Sequence, residues 1–75
     1  MNKYILLVKK WLDDPASVTQ QELVDNAVAA AAAAYAACPD PVHGAVDAAS
    51  TYAAHSDAYA LGAGYWVRRY EELTK

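Results

Sequence analysis

Few side chains in this 75-residue sequence have chemical potential, and their spacing limits what they could do. His43 and Asp47 lie four apart, one helical turn, and His55 follows further along. An imidazole beside a carboxylate on one helix face is the arrangement of a general base or a metal ligand. A base needs a nucleophile next to it, and a metal needs further ligands at suitable spacing; neither stands in the sequence. His43 is therefore read as a residue near a helix start, and His55 as one on a polar face. Cys38 is the only cysteine, so no disulfide can form within one chain, and no ligand spacing of the zinc type accompanies it. It is read as a small buried hydrophobe ahead of a turn. No catalytic, cofactor or metal-ligating residues are assigned, and an enzyme is the least expected class.

Charged and aromatic residues offer a different chemistry, that of contact. Lys9, Lys10, Arg68 and Arg69 supply four of the six basic residues. Brought together, they would make a basic spot able to recognise an acidic partner or a phosphate. The plainer reading is a solvated face neutralised by Glu71, Glu72, Asp13 and Asp14. Six Tyr and two Trp carry most of the bulky surface, and Phe is absent. Tyr and Trp give contact area at low entropic cost, which is why interfaces favour them. Tyr65, Arg68, Arg69, Lys9 and Lys10 are accordingly the candidate partner-binding residues.

Composition excludes several classes. The formal net charge is −3. That argues against a nucleic-acid binder, which presents a basic face, and it is too mild for a nucleic-acid mimic. The apolar run at residues 4–8 is too short for the core of a signal peptide, and Lys9 and Lys10 follow at once. The longest apolar run, residues 27–38, falls short of the roughly 18 residues that a membrane span needs. A cytoplasmic, reducing compartment is the expectation, and it fits the lone thiol.

Ala dominates the elements that must position these groups. It has the highest helix propensity but buries only a methyl group, worth about 0.8 kcal/mol. The expected class is all-α, with residues 1–75 as one domain of three helices. The first, residues 2–13, places Tyr4, Ile5, Val8, Trp11 and Leu12 on one face, and Asp14-Pro15 stops it. Thr19 and Glu22 form a capping box that starts the second, residues 20–38. Its inner stripe is taken as Val24, Val28, Ala31, Tyr35 and Cys38, spaced 4,3,4,3, with Leu23, Ala27, Ala30, Ala34 and Ala37 alongside. Asp40 as N-cap and Pro41 at the first helical position open the third, residues 41–74.

Along that third helix Tyr52, Tyr59, Trp66 and Leu73 recur every seven residues, alternating with Ala49, Ser56 and Ala63. This is the spacing of a helix-packing seam, and it passes through Gly62 and Gly64 without a change of phase. A continuous helix is expected, with a kink at those glycines. It pairs with the second helix as an Ala-rich antiparallel hairpin and extends beyond it, with the first helix docked on the extension. Some seam should remain uncovered, and a homodimer burying Tyr52, Tyr59, Trp66 and Leu73 is the economical solution.

Three pieces of the chain resemble a group of small, uncharacterised Ala/Tyr-rich proteins encoded by tailed bacteriophages. They are Lys3-Tyr4-Ile5 through Lys10-Trp11-Leu12 with Asp14-Pro15, then Val18-Thr19-Gln20-Gln21-Glu22-Leu23 leading into an Ala/Tyr tract, and Tyr65-Trp66-Val67-Arg68-Arg69-Tyr70-Glu71-Glu72-Leu73. The Cys38-Pro39-Asp40-Pro41 turn interrupts that pattern. The resemblance implies a phage accessory protein that binds and inhibits a host enzyme or defence complex. The leading expectation is thus a helical interaction module with a host protein as partner, in the host cytoplasm, and with neither nucleic acid nor membrane as target. The alternative expectation is a structural, self-assembling component with no separate target.

Overall fold

The computed structural model describes residues 2–37, 40–55 and 60–75. Its regular elements are all helical: α1 (Lys3–Asp13), a short 3-10 turn (Pro15–Ser17), α2 (Gln20–Ala36), α3 (Pro41–His55) and α4 (Ala60–Leu73). The all-α class stands, but the described residues form four α-helices where three were expected.

Local chemistry sets most of the helix ends. Asn2 caps α1, its side-chain oxygen accepting from the backbone N–H groups of Tyr4 at 2.8 Å and Ile5 at 3.3 Å. Asp14 leaves helical geometry ahead of Pro15 and then caps the 3-10 turn through Ala16 N–H. At α2 both halves of the capping box are formed. Glu22 N–H donates to Thr19 Oγ1 at 3.1 Å, and Thr19 N–H donates to Glu22 Oε1 at 3.0 Å. Asp40 Oδ1 accepts from Val42 N–H at 2.9 Å and starts α3 with Pro41 as its first residue.

The expected helix over residues 41–74 is two helices, α3 and α4, separated by residues that lie outside those described. Gly62 and Gly64, expected to mark a kink, both lie within α4. A straight 34-residue helix would be about 50 Å long, whereas the longest extent of the molecule is 32 Å. Folding back lets α4 place Ala63 and Val67 in the core that α3 builds from Ala45, Val46, Ala49, Ser50 and Ala53.

The rotation of α2 also differs from the expected one. Val24, Val28 and Tyr35, taken as the inner stripe, are exposed, and Leu23 and Ala30 are the buried positions. Residues Cys38 and Tyr59, one in each expected stripe, lie outside the described residues. The helix is turned so that its small residues approach α3, whose own facing residues are mainly Ala. A bulky stripe on this side would hold the two backbones apart. Asn26 fixes the rotation. Its Nδ2 donates to the Tyr4 carbonyl at 3.2 Å and to Ser50 Oγ at 3.4 Å, tying α2 to α1 and α3 together. Gln20 Nε2 donates to the Ala54 carbonyl, which puts the start of α2 beside the end of α3 and makes the two antiparallel.

The greasy first helix supplies the large side chains that the Ala-rich pair lacks. Ile5, Val8 and Trp11 are buried, and α1 touches α2, α3 and α4. Asn2 N–H donates to Tyr70 Oη at 3.2 Å, joining the start of α1 to α4. The resulting accessible surface is 4565 Å², close to the roughly 4,500 Å² that a folded monomer of this mass exposes. Four helices thus close a core within one chain. Tyr52, Trp66 and Leu73, expected as an uncovered seam, are half-buried and packed against it.

Candidate functional site

Between α1 and α4 runs an open groove of roughly 710 Å³, lined by Leu6, Lys9, Lys10, Leu12, Asp13, Gly64, Val67 and Arg68. Its floor is apolar because Val67 turns into the core and Gly64 adds no side chain. Its rim is basic, since three of the lining residues are Lys or Arg and one is Asp.

Lys9 Nζ lies 3.1 Å from Glu71 Oε2, an ion pair across the two helices with both side chains about two-fifths exposed. That pair consumes one cation. Arg68 forms no ion pair within 4.0 Å among the described residues, and its guanidinium reaches back over Gly64. The exposed face of α4 continues the apolar surface. Leu61, 89 % exposed, stands two turns before Arg68 on the same stripe, and Tyr65 is exposed one turn before it. The half-buried Trp66 meets Tyr65 edge-to-face, with ring centroids 5.1 Å apart and planes at 89°. Such a pair is worth about 0.5–1.5 kcal/mol beyond its buried area and holds the Tyr65 ring in place.

Of the residues singled out by sequence, Lys9, Lys10 and Arg68 come together here, with Tyr65 on the adjoining face. Arg69 does not join them. It lines a separate depression between α3 and α4, with Pro41, Gly44, Ala45, Trp66 and Leu73. The seam residues are divided as well: Tyr52 belongs to α3, and Trp66 and Leu73 belong to α4. Leu6, Leu61 and Gly64 were missed. Leu6 falls off the apolar face of α1, and a leucine on the polar side of an amphipathic helix is itself a signal. Leu61 was hidden by the assumption that residues 41–74 form one helix.

The two histidines lie in the first and last turns of α3. His43 pairs with Asp40 and not with Asp47: its Nδ1 is 2.7 Å from Asp40 Oδ2, and the carboxylate can only accept. That hydrogen bond, followed by the one from Val42 N–H, holds the Asp40 carboxyl below its ordinary range. Asp47 instead accepts from Thr51 Oγ1 at 3.4 Å. His55 is exposed in the last turn of α3. Among the described residues no three His, Cys, Asp or Glu side chains gather to hold a metal ion. Nor is any described helix long and apolar enough to cross a membrane.

No family model, no curated protein and no solved structure matches this chain. An apolar floor with a cationic rim suits an apolar ridge flanked by carboxylates, as on an acidic amphipathic helix.

Proposed function

We propose that this chain is a small helical protein–protein interaction module that acts by occupying a surface of a partner protein through the α1–α4 groove. The observation that carries the reading is the convergence of Lys10 and Arg68, with the Glu71-paired Lys9 beside them, on one apolar groove in a chain whose net charge is −3. Cations concentrated at one place on an acidic protein steer an acidic partner to that place. Leu6, Leu61 and Tyr65 extend the apolar contact area around it. The resemblance read from the sequence, to phage-encoded Ala/Tyr-rich proteins, implies a host protein as the partner and inhibition of a host enzyme or defence complex as the effect.

Capture from a bacterial host lysate tests this. The tagged chain should retain a stoichiometric partner, and the Lys10→Glu, Arg68→Glu double variant should lose it while keeping its helical circular dichroism. Arg69→Ala, on the other depression, should capture as well as the native chain. Equal capture by the charge-reversed variant, or none by the native chain, would remove the groove from consideration.

A further inference from the structure

The face of α2 that turns away from the core carries Val24, Val28, Ala31 and Tyr35 at 4,3,4 spacing, the pattern of a helix-packing seam. Val28 is 65 % exposed and Tyr35 81 %, and Val24 is exposed too. We propose that this face binds a second copy of itself, α2 against α2 in antiparallel sense, and forms a twofold homodimer. The dimer expected from the sequence is thereby moved from Tyr52, Trp66 and Leu73, which pack within their own chain, to the outer face of α2. The proposal is independent of the α1–α4 groove.

Charge selects the occupant. No charged residue occurs from Asn26 to Ala37. A partner with a charged face would bury those charges unpaired against this surface. An identical uncharged face meets it with no such penalty. The nearest acid on the outer side, Asp25, accepts from Gln21 Nε2 at 2.8 Å and sits toward the N-terminal end of the stripe. Ala31 and Ala32 keep the middle of the stripe low, so two backbones can approach closely.

Side-chain size selects the sense. A parallel pair would stack Tyr35 on Tyr35 and Ala31 on Ala31, bulk beside a void. An antiparallel pair sets Tyr35 against Val24 of the second copy and Val28 against its Ala31. Each layer recurs by the twofold axis, so the whole stripe is covered in four layers. The stripe is about 18 Å long. Two copies bury on the order of 1,000 Å², the lower limit for a specific interface, so the dimer is concentration-dependent.

Sedimentation equilibrium from about 10 μM to about 1 mM tests the association. The native chain should rise from its monomer mass of 8.1 kDa toward twice that value. Val28→Glu, at an exposed position that tolerates the change, should remain monomeric with unchanged circular dichroism. Leu61→Glu on α4 should dimerise as the native chain does. A native chain that stays at monomer mass, or a Val28→Glu variant that dimerises, overturns the proposal. The register is tested in a Cys38→Ser background. A mixture of the Val24→Cys and Tyr35→Cys chains should cross-link on oxidation at least fivefold faster than either chain alone. Equal or slower cross-linking of the mixture overturns the antiparallel pairing.

Discussion

A Cβ placed on Gly62 of α4 would lie 3.3 Å from Cδ1 of Tyr52 on α3. The two helices cross closely there, with the ring of Tyr52 lying against the bare backbone of α4. That approach joins the two halves of what reads in sequence as one helix, and it explains why a glycine stands at this position.

The three glycines should therefore respond differently to Ala. A Cβ on Gly44 meets nothing within 4 Å, and one on Gly64 meets only Arg68 Nη1 at 4.0 Å. Gly44→Ala and Gly64→Ala should each stabilise by about 0.5–1 kcal/mol through helix propensity. Gly62→Ala gains the same propensity but must displace the Tyr52 ring, and should fall about 1 kcal/mol short of Gly64→Ala. Gly62→Leu should destabilise by about 1–3 kcal/mol through overpacking. Urea unfolding measures all four, and equal stabilisation by Gly62→Ala and Gly64→Ala would show the contact to be unimportant.

Asn26 is the polar joint of three helices, and Ser50, its partner on α3, is fully buried. Asn26→Ala should destabilise by about 1–2 kcal/mol, because the Ser50 hydroxyl and the Tyr4 carbonyl lose their donor. Ser50→Ala alone should cost less, and Asn26→Ala should matter less in that background. A double-mutant cycle gives the coupling, and strict additivity would mean the two side chains do not cooperate.

Acid should weaken the protein through two helix caps. The Thr19 backbone N–H, then the Thr19 side chain, hold Glu22 below its ordinary pKa of 4.5. The His43 hydrogen bond and Val42 N–H do the same for Asp40, whose ordinary value is 3.8. Both folded-state pKa values are depressed, so the stabilisation is complete above the ordinary values and is lost as pH falls through the depressed ones. Thermal melts from about pH 7 to about pH 2 should show this acid limb. Glu22→Gln combined with Asp40→Asn should flatten it, and an unchanged limb would place the titration elsewhere.

The Lys9–Glu71 pair spans two helices but is about two-fifths exposed on each side. Lys9→Ala and Glu71→Ala should each change stability by no more than about 1 kcal/mol, and less still in high salt. Chemical denaturation at low and high ionic strength reads this. A loss of several kcal/mol would mean the pair is a structural clamp.

The sequence by itself determined what depends on near neighbours. Asp14-Pro15, the Thr19–Glu22 box and Asp40-Pro41 end or start helices through bonds spanning three residues or fewer, so they could be read directly. The buried face of α1 was equally legible, because Ile5, Val8 and Trp11 have no apolar competitors opposite except Leu6. Tertiary structure decided the rest, and Ala is the reason. A methyl group gains little from burial, about 0.8 kcal/mol, so a stripe containing Ala is satisfied facing either the core or water. In α2 two adjacent stripes competed, and Asn26 together with the small face of α3 chose Leu23 and Ala30 over Val24 and Val28. Over residues 41–74 the seven-residue repeat fits one long helix as well as two folded helices. Only closure of the core against α3 decided between them, and the same closure brought Lys9 and Lys10 beside Arg68 while sending Arg69 to the other side.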